Sequence, residues 1–437
     1  MVFKEKLKKI WGSLGPGLIT GASDDDPSGI VTYSVAGAKM GPHALWSMLY
    51  TLPLMIAVQE MSARIGMSSQ CGLAGNIKKY YSKTTLILIS SLIIIANTFN
   101  IGADVFGMAS AIELLIPGST QLLSWIVVGG ILSLIVLLPY RKIVSVFKWL
   151  SMALLAYVIA GFTVIDNWPT ILWQMVAPSF SINKENFIIV VALFGTTISP
   201  YLAFWQASEE AEEKRIKSGA EDKPYVCEYK IVTKGELIRA TRDTRIGMFF
   251  SNAIAFFIIA LASSVLFNAG VHDIETIKDA ADALKPLAGN YAYILFAFGV
   301  IGAGLLAIPV LAGSSAYVLS EIFGWKGSLN KPFSRAKEFY MVIIVSALVG
   351  LIIPNLGISP VQALFFTALI HGAIAPFLIA MILHMANNPA IVGPNVNGKT
   401  SNILGYITLF AMAGAIITLI VTEFTAERMQ ALIGLFL

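Results

Sequence analysis

The chain has 437 residues, of which 56% are hydrophobic and 13% are charged, with a formal net charge of +4. Soluble domains average about 45–50% apolar and about 25% charged residues. This composition, with a mean hydropathy of +0.75, excludes an ordinary soluble protein and indicates an integral membrane protein.

Apolar stretches of about 20 residues, each long enough to cross a bilayer as a helix, recur along the whole chain. We count eleven, and they predict an all-α integral membrane protein. The ninth is shorter than the others. The predicted crossings are Leu14–Ala38, Leu45–Ile65, Thr85–Ile116, Leu122–Tyr140, Val144–Ile165, Phe187–Gln206, Ile246–Asn268, Tyr291–Ser320, Tyr340–Ile353, Val361–Met385 and Leu404–Thr422.

The distribution of positive charge predicts which side each loop faces. If the N-terminus MVFKEKLKKI is cytoplasmic, 25 of the 30 Lys and Arg residues fall on the cytoplasmic side and 5 fall outside. This asymmetry obeys the positive-inside rule, so the net charge reflects topology rather than nucleic-acid binding. We expect a cell-membrane protein, as in a bacterial inner membrane, with its C-terminus outside. No cleavable signal peptide is expected, because the first apolar run lacks a small-residue cleavage site.

The loops indicate neither a soluble domain nor a cysteine-based site. Cys71 and Cys227 both fall in predicted cytoplasmic loops, where a reducing environment favours free thiols. We therefore expect neither a disulfide nor a metal cluster from them. The longest polar stretch, Glu209–Arg245, is interpreted as a solvated and partly disordered cytoplasmic connector.

The first crossing contains GASDDDPSGIVTY, residues Gly21–Tyr33, with three consecutive aspartates inside an apolar stretch. Pro27 lacks an N–H and clashes with the preceding turn, and Gly29 leaves the backbone unconstrained. Irregular backbone at mid-membrane is tolerated only where it faces protein or a wet cavity, and a charge at that depth usually marks a substrate path. The pattern therefore predicts a helix broken at the midplane beside a transported substrate.

The three aspartates are expected to have different roles, because successive residues of a helix point about 100° apart. Asp26 directly precedes Pro27 and is expected to cap the second half-helix. We assign Asp26 as the ion ligand. Asp24 and Asp25 are expected to line the outward vestibule or to pair with Arg or Lys.

The sixth crossing contains a similar interruption of its apolar stretch, GTTISPY, residues Gly195–Tyr201. The breaks lie in the first and sixth crossings. Because each crossing reverses the direction of the chain and the two are five crossings apart, an odd number, the two broken helices run in opposite directions. Such a pair indicates a transporter built from an inverted repeat, with its site near the midplane. The two halves would be residues 14–165 and 187–385, followed by an extra helix at 404–422.

Four stretches resemble helices of the NRAMP family of divalent-metal transporters, and together they cover most of the chain. The resemblance implies a LeuT-like fold with a 5+5 inverted repeat plus one helix, in agreement with the two breaks. It also implies a transporter rather than an enzyme, with no cofactor and a divalent metal ion as substrate. The stretches GPGLITGASDDDPSG, LPLMIAVQEMSARIGMSSQCGLAGNI, NTFNIGADVFGMASAIELLIPG and GTTISPYLAFWQ resemble the first, second, third and sixth helices of the family.

The ligand positions of the family fall on a different donor set here. The family aspartate falls on Asp26, its asparagine on Gly29, its methionine on Ser199 and a backbone-carbonyl ligand on Thr196. Thioether sulfur favours softer transition metals, whereas carboxylate, carbonyl and water suit Mg²⁺ and Mn²⁺, and Mg²⁺ usually keeps several waters. This pattern resembles the NRAMP-related magnesium transporters. We therefore expect Mg²⁺ as the preferred ion and Mn²⁺ as the second.

Departures from the family pattern imply weak or no proton coupling. In proton-coupled members a carboxylate pair on the third helix helps to carry the proton; Asp104 matches the first member, and Gly107 replaces the second. Tyr201 stands where the family has a histidine. Asn100 lies one turn from Asp104 and could face the same cavity. Thr367 lies near the position of a ligand on the tenth helix of the family. His371 is interpreted as a histidine packed at a helix interface. The candidate pathway residues are Asp24, Asp25, Asn100, Asp104, Tyr201, Thr367 and His371.

Alternatives of two kinds stay open. A proton-coupled Mn²⁺/Fe²⁺ transporter of the NRAMP type would share the fold. A divalent cation channel would use the aspartates as a charged ring, which requires an oligomer with a shared axis, and the sequence indicates none. An amino-acid carrier is disfavoured because an aspartate would repel a substrate carboxylate. The expected partners are the metal ion and the lipid bilayer, and a monomer is compatible with the sequence.

Overall fold

The computed structural model describes residues 16–138, 142, 152–179, 183–219 and 227–436. The predicted cytoplasmic N-terminal tail, the start of the predicted fifth crossing and the centre of the predicted connector at 220–226 lie outside these residues. Within them the secondary structure is helical and contains no strand. The α-helices are α1 Pro16–Ala22, α2 Pro27–Met40, α3 Trp46–Ser69, α4 Leu73–Tyr80, α5 Lys83–Glu113, α6 Thr120–Leu137, α7 Leu155–Val164, α8 Trp168–Val176, α9 Lys184–Thr197, α10 Pro200–Lys217, α11 Lys234–Ala262, α12 Ile277–Asp282, α13 Lys285–Ala288, α14 Ala292–Phe323, α15 Lys337–Gly350, α16 Pro360–Ala386, α17 Pro389–Val392 and α18 Lys399–Phe436.

The described helices include 8 that are long and apolar enough to cross a membrane, or 9 if α7 and α8, bent by 118°, form one span. Two of the eleven predicted crossings fall outside this count. The first is divided between α1 and α2, of 7 and 14 residues. The second is α3, which has 24 residues but carries the polar side chains of Gln59, Glu60 and Arg64. The membrane-protein class is therefore confirmed, while the count of eleven stays a prediction.

Both predicted breaks are present. The first separates α1 from α2 at residues 23–26, and the second separates α9 from α10 at Ile198 and Ser199. Each second half-helix begins with a proline, Pro27 or Pro200, whose missing N–H is not needed in a first turn. The two breaks lie side by side, because the Tyr201 hydroxyl donates to the Ser23 carbonyl at 3.3 Å.

Small residues let the helices around the breaks approach closely. A Cβ at Gly21 of α1 would lie 2.3 Å from the Gly247 carbonyl carbon of α11, and a Cβ at Gly195 of α9 would lie 2.0 Å from the Ala368 oxygen of α16. Membrane helices associate through such close packing rather than through a hydrophobic driving force. These contacts set the position of both breaks relative to the surrounding helices.

We expect Gly195→Ala to destabilise the protein, because the added methyl would overlap a backbone oxygen of α16 and force α9 and α16 apart. Overpacking of this kind typically costs about 1–3 kcal/mol. The matched control is Gly129→Ala, since Gly129 is also helical but, apart from its own helix backbone, no atom of the described residues lies within 4 Å of its Cβ position. Thermal unfolding in detergent would measure both variants, and an equal Tm for the two would contradict this account of the packing.

The prediction of a solvated and partly disordered connector at 209–245 is wrong about disorder at its two described ends, which are helical, and wrong about solvation at its start. The helix α10 continues to Lys217, and α11 already begins at Lys234. The carboxylates of Glu209 and Glu212 are buried and both contact the Tyr317 hydroxyl of α14, at 2.8 and 2.5 Å. The charged end of α10 therefore packs against α14 rather than facing solvent, a contact that charge counting along the sequence does not reveal.

The expectation of free thiols at Cys71 and Cys227 is also wrong, because the structure joins them in a disulfide across 156 residues of sequence. The segment that begins at Cys227 crosses the end of α3, where the Lys230 N–H donates to the Ser68 carbonyl at 2.8 Å. Fully buried Cys71 follows α3 directly. Only the tertiary packing brings these two cysteines together, so a prediction from compartment alone missed the bond.

We expect the purified protein, denatured without reductant, to contain no thiol that reacts with a maleimide. After reduction it should contain two, because the chain has 2 cysteines. Intact mass before and after labelling measures the number directly. Two labelled thiols without reductant would show that the bond does not form in the cell from which the protein is purified.

Candidate metal site

Asp26 occupies the N-cap of α2, as predicted. Its Oδ1 accepts the Gly29 N–H at 2.6 Å and the Ser28 hydroxyl at 2.7 Å. Its Oδ2 accepts an N–H from Asn100 at 3.0 Å. A carboxylate at this position satisfies amide groups that the helix leaves unpaired, and the helix N-terminus favours its negative charge. The cap therefore fixes one carboxylate at the first break.

Asp24 and Asp25 face a different helix. Both contact the Ser251 hydroxyl of α11, Asp24 at 2.5 Å and Asp25 at 3.2 Å. Asp24 also lies 3.3 Å from the Ser199 hydroxyl at the second break. In the described part of the chain no Lys or Arg forms an ion pair with either carboxylate, so the structure does not support the predicted alternative of pairing with a basic residue.

The predicted ligands are divided between the surroundings of Asp26 and those of Asp24. A Cβ at Gly29 would lie 3.1 Å from the Thr196 Oγ1 and 3.2 Å from the Asp26 Oδ1, so Thr196, Gly29 and Asp26 are neighbours. Ser199 donates to the Thr196 carbonyl at 2.5 Å, but its contact with an aspartate is with Asp24. The two breaks thus form one continuous polar region with Asp26 at one side and Asp24 at the other.

The helix α5 contributes two further polar side chains to this region. Asn100 donates to Asp26, and Asp104, one turn later, accepts the Ser28 N–H at 3.2 Å. Both side chains have an exposed fraction of 0%. The expectation that Asn100 and Asp104 face one cavity is consistent with these contacts.

The remaining candidate residues line or flank the second break. Tyr201 packs against His371 of α16 with a ring separation of 5.4 Å, and among the described residues the His371 Nε2 has no hydrogen-bond partner. The Thr367 hydroxyl donates to the Leu364 carbonyl of its own helix at 2.7 Å. Tyr201 therefore flanks the second break with His371 packed against it, whereas Thr367 is engaged within α16.

The site is closed to solvent and rich in carboxylates. Asp24, Asp25, Asp26 and Asp104 have exposed fractions of 1%, 4%, 2% and 0%. A buried charge without a partner is costly, on the order of several kcal/mol per ion. Among the described residues, no group of three or more His, Cys, Asp or Glu could hold a metal ion by itself. A cation here would therefore need hydroxyl, amide, carbonyl or water oxygens beside the carboxylates.

Sequence reasoning missed two hydroxyl groups that hold the aspartates. Ser28 lies inside the first motif, and its N–H and hydroxyl join Asp104 to Asp26. Ser251 is a serine within the apolar part of α11 and gives no pattern of its own. Its role becomes visible only because α11 packs against α1 and α2.

Comparison with known proteins places the chain among metal transporters. A family profile described as Nramp, natural resistance-associated macrophage protein-like, matches residues 17–422. A divalent metal cation transporter MntH of Clostridium acetobutylicum is 24% identical over 96% of this chain and 93% of its own length. The protein of the same name in Mycobacterium tuberculosis is 22% identical over 92% of this chain and 90% of its own.

Solved structures confirm the predicted all-α, LeuT-like fold. The manganese transporter of Eremococcus coleocola, solved with an aromatic bis-isothiourea substituted compound, has a TM-score of 0.73 at 18% identity, over 94% of this chain and 87% of that one. The nucleobase-cation-symport-1 family transporter MHP1, in a closed conformation, has a TM-score of 0.55 at 13% identity, with 93% of each chain covered. The two relatives named MntH are divalent metal cation transporters and neither is named for magnesium, so the comparisons fit the manganese and iron alternative better than the expected magnesium preference.

Proposed function

Since the chain belongs to the Nramp family, with a profile match over residues 17–422, we propose that it is a secondary transporter that carries divalent metal ions across a cell membrane. We propose further that Mn²⁺ and Mg²⁺ are both substrates. The likeness to the manganese transporter of Eremococcus coleocola supports Mn²⁺, and the donor groups of this chain support the addition of Mg²⁺.

One observation carries the proposal: Asp26 and Asp104 lie buried at the first break, joined through Ser28, without an ion pair in the described part of the chain. Their desolvation is balanced only by neutral donors. A divalent cation would supply the opposite charge that these carboxylates lack. The site would therefore have its highest affinity for an ion that accepts several oxygen ligands at once.

The preference for Mg²⁺ over softer ions is supported by what surrounds Asp26. The neighbouring groups are the hydroxyls of Ser28 and Thr196 and the amide of Asn100, and Gly29 contributes no side chain. Hard oxygen donors suit Mg²⁺ and Mn²⁺, while sulfur would favour softer ions. A site with one or two carboxylates matches the way proteins usually hold Mg²⁺. This is the pattern of the NRAMP-related magnesium transporters, and we propose that the chain belongs to that branch.

Burial of the whole site supports alternating access rather than a continuous pore. None of the four aspartates has more than 4% of its surface exposed, so the ion must enter and leave through openings that form on opposite sides. The two half-helix junctions are the natural hinges for such movement. We propose that the Lys- and Arg-rich loops and the N-terminus face the cytoplasm.

Weak or absent proton coupling is supported by the packing of Gly107. A Cβ at this position would lie 2.8 Å from the Leu364 Cδ1, so a second carboxylate one turn after Asp104 would need the Leu364 side chain to change its conformation. Tyr201 stands where the family has a histidine. Metal movement should therefore leave the pH of a sealed vesicle nearly unchanged.

The proposal is tested with the purified full chain in liposomes that contain a Mg²⁺-sensitive, a Mn²⁺-sensitive or a pH-sensitive dye. We expect saturable uptake of both metals, competition of Mg²⁺ with Mn²⁺, and little change in internal pH. Absence of flux for both metals would reject transport. Uptake of Mn²⁺ or Fe²⁺ that Mg²⁺ does not inhibit, with acidification, would establish the proton-coupled alternative. Unitary currents in a planar bilayer would establish a channel.

A further inference from the structure

We infer that Asn100 and Asp104 of α5 are direct ligands of the transported divalent cation, so that the ion is held between α5 and the N-terminus of α2. This inference rests on the proposed function. It adds a second carboxylate and an amide oxygen to Asp26.

The contacts bring three oxygen-bearing side chains together at the start of α2. The Asn100 Nδ2 lies 3.0 Å from the Asp26 Oδ2, and the Asp104 Oδ1 lies 3.2 Å from the Ser28 nitrogen. Ser28 in turn donates its hydroxyl to Asp26 at 2.7 Å. Because Asn100 and Asp104 are one helical turn apart, both project from the same face of α5.

Two oxygens in this group have no partner among the described residues. Within that part of the chain the Asn100 Oδ1 and the Asp104 Oδ2 accept no hydrogen bond, although both side chains are completely buried. A buried acceptor left unpaired is costly because its lost hydration is not replaced, and native proteins contain few of them. Both oxygens belong to side chains whose other polar atom already reaches Asp26 or its neighbour Ser28. They are therefore acceptors that a cation at this position would satisfy.

The chemistry of the group selects a hard divalent ion. Two carboxylates match the charge of one divalent cation, and the amide oxygen adds a neutral ligand of the kind that Mg²⁺ and Mn²⁺ accept. Rotation of the Asn100 amide would turn its Oδ1 toward the ion in place of the N–H that now contacts Asp26, since the amide presents a donor on one side and an acceptor on the other. Gly29 has no side chain that could compete for this position.

The first test compares Mg²⁺ and Mn²⁺ binding to the purified chain by titration calorimetry. We expect Asn100→Ala and Asp104→Asn each to weaken binding of both ions at least tenfold. The matched control is Asn97→Ala. Asn97 is also fully buried on α5 with an unpartnered amide oxygen, but it donates to Ser315 of α14 at 3.1 Å. We expect the control to change affinity less than threefold.

A second pair of variants separates a ligand from a residue that only positions Asp26. Asn100→Asp would add a carboxylate with almost no change in shape. It should bind Mg²⁺ at least as tightly as the wild type if Asn100 faces the ion. If Asn100 only donates to Asp26, the new charge would repel that carboxylate and weaken binding. Asn97→Asp serves as its control, and Tm without metal confirms that each variant is folded.

The outcomes distinguish this inference from the proposed function. Wild-type binding and transport with unchanged affinity in Asn100→Ala and Asp104→Asn would overturn the ligand assignment and leave the transporter intact. Weaker binding in Asn100→Asp than in Asn97→Asp would also overturn it. A wild-type chain that neither binds nor transports Mg²⁺ or Mn²⁺ would reject the proposed function itself.

Discussion

Asp26→Asn is expected to reduce metal uptake into liposomes to the level of protein-free vesicles. The substitution removes the charge that would neutralise half of a divalent cation, while asparagine keeps nearly the same shape. Because asparagine is also a favourable N-cap residue, α2 should still begin at Pro27. The loss would therefore report the missing charge rather than a missing helix cap. Dye-loaded vesicles with Mn²⁺ and with Mg²⁺ measure the effect.

The comparison with Asp26→Ala and Asp273→Asn makes this result specific. Alanine also removes the cap, which typically costs about 0.5–2 kcal/mol of stability, so Asp26→Ala should show a lower Tm in addition to the lost flux. Asp273 is an exposed carboxylate that pairs with Lys39 at 2.9 Å, and exposed pairs contribute little. Asp273→Asn should transport like the wild type. Full flux in Asp26→Asn would remove Asp26 from the ion site.

The sequence was sufficient to predict the broken helices because their signals are local. Asp26 followed by Pro27 determines both a cap and a helix start, and the structure confirms the capping bond to the Gly29 N–H at 2.6 Å. Ser199 followed by Pro200 likewise marks a new helix start. The spacing of the two breaks then predicted opposite directions. The positions of the two breaks depend only on backbone chemistry within a few residues, whereas their opposite directions depend on the number of crossings between them.

The partners of the aspartates could not be predicted, because they depend on which helices meet. Asp24 lies beside both Ser199 and Ser251, whereas Asp26 lies beside Asn100. From the chain alone, Ser199 was assigned to the same ligand set as Asp26, since the two stand at matching breaks. The packed structure instead distributes consecutive carboxylates to different helices. Consecutive residues in an irregular segment have divergent side-chain directions, and no periodicity reports them.

The same dependence on tertiary contacts explains why two sequence predictions outside the site are wrong. Charged residues at the end of α10 are expected to be solvated because glutamates are mostly exposed, yet the Tyr317 hydroxyl of α14 is a partner for both Glu209 and Glu212. Cys71 and Cys227 are close only because the segment after α10 returns across α3. In both cases contacts between segments distant in sequence override the tendency of the residue type.

The ion preference is expected to change when the two missing family ligands are restored together. Gly29→Asn would place an amide beside Asp26 and Thr196, and Ser199→Met would place a thioether beside Thr196 and Asp24. Sulfur favours softer ions and both side chains reduce the space for bound water. We expect uptake of Mn²⁺ relative to Mg²⁺ to rise at least about tenfold, which corresponds to about 1.4 kcal/mol. Competition between the two ions in the same vesicles measures the ratio.

The geometry also determines the controls for this double substitution. A Cβ at Gly29 would lie 3.1 Å from the Thr196 Oγ1, so Thr196 must move by a few tenths of an ångström, and Gly29→Ala tests that movement without adding a ligand. Ser199→Ala removes the hydroxyl next to Asp24 without adding sulfur. Neither control should favour Mn²⁺, because neither changes the donor chemistry. If Gly29→Ala alone reproduced the shift, cavity volume rather than ligand softness would set selectivity. If the ratio of Mn²⁺ to Mg²⁺ uptake were unchanged in the double variant, neither position would determine which ion is transported.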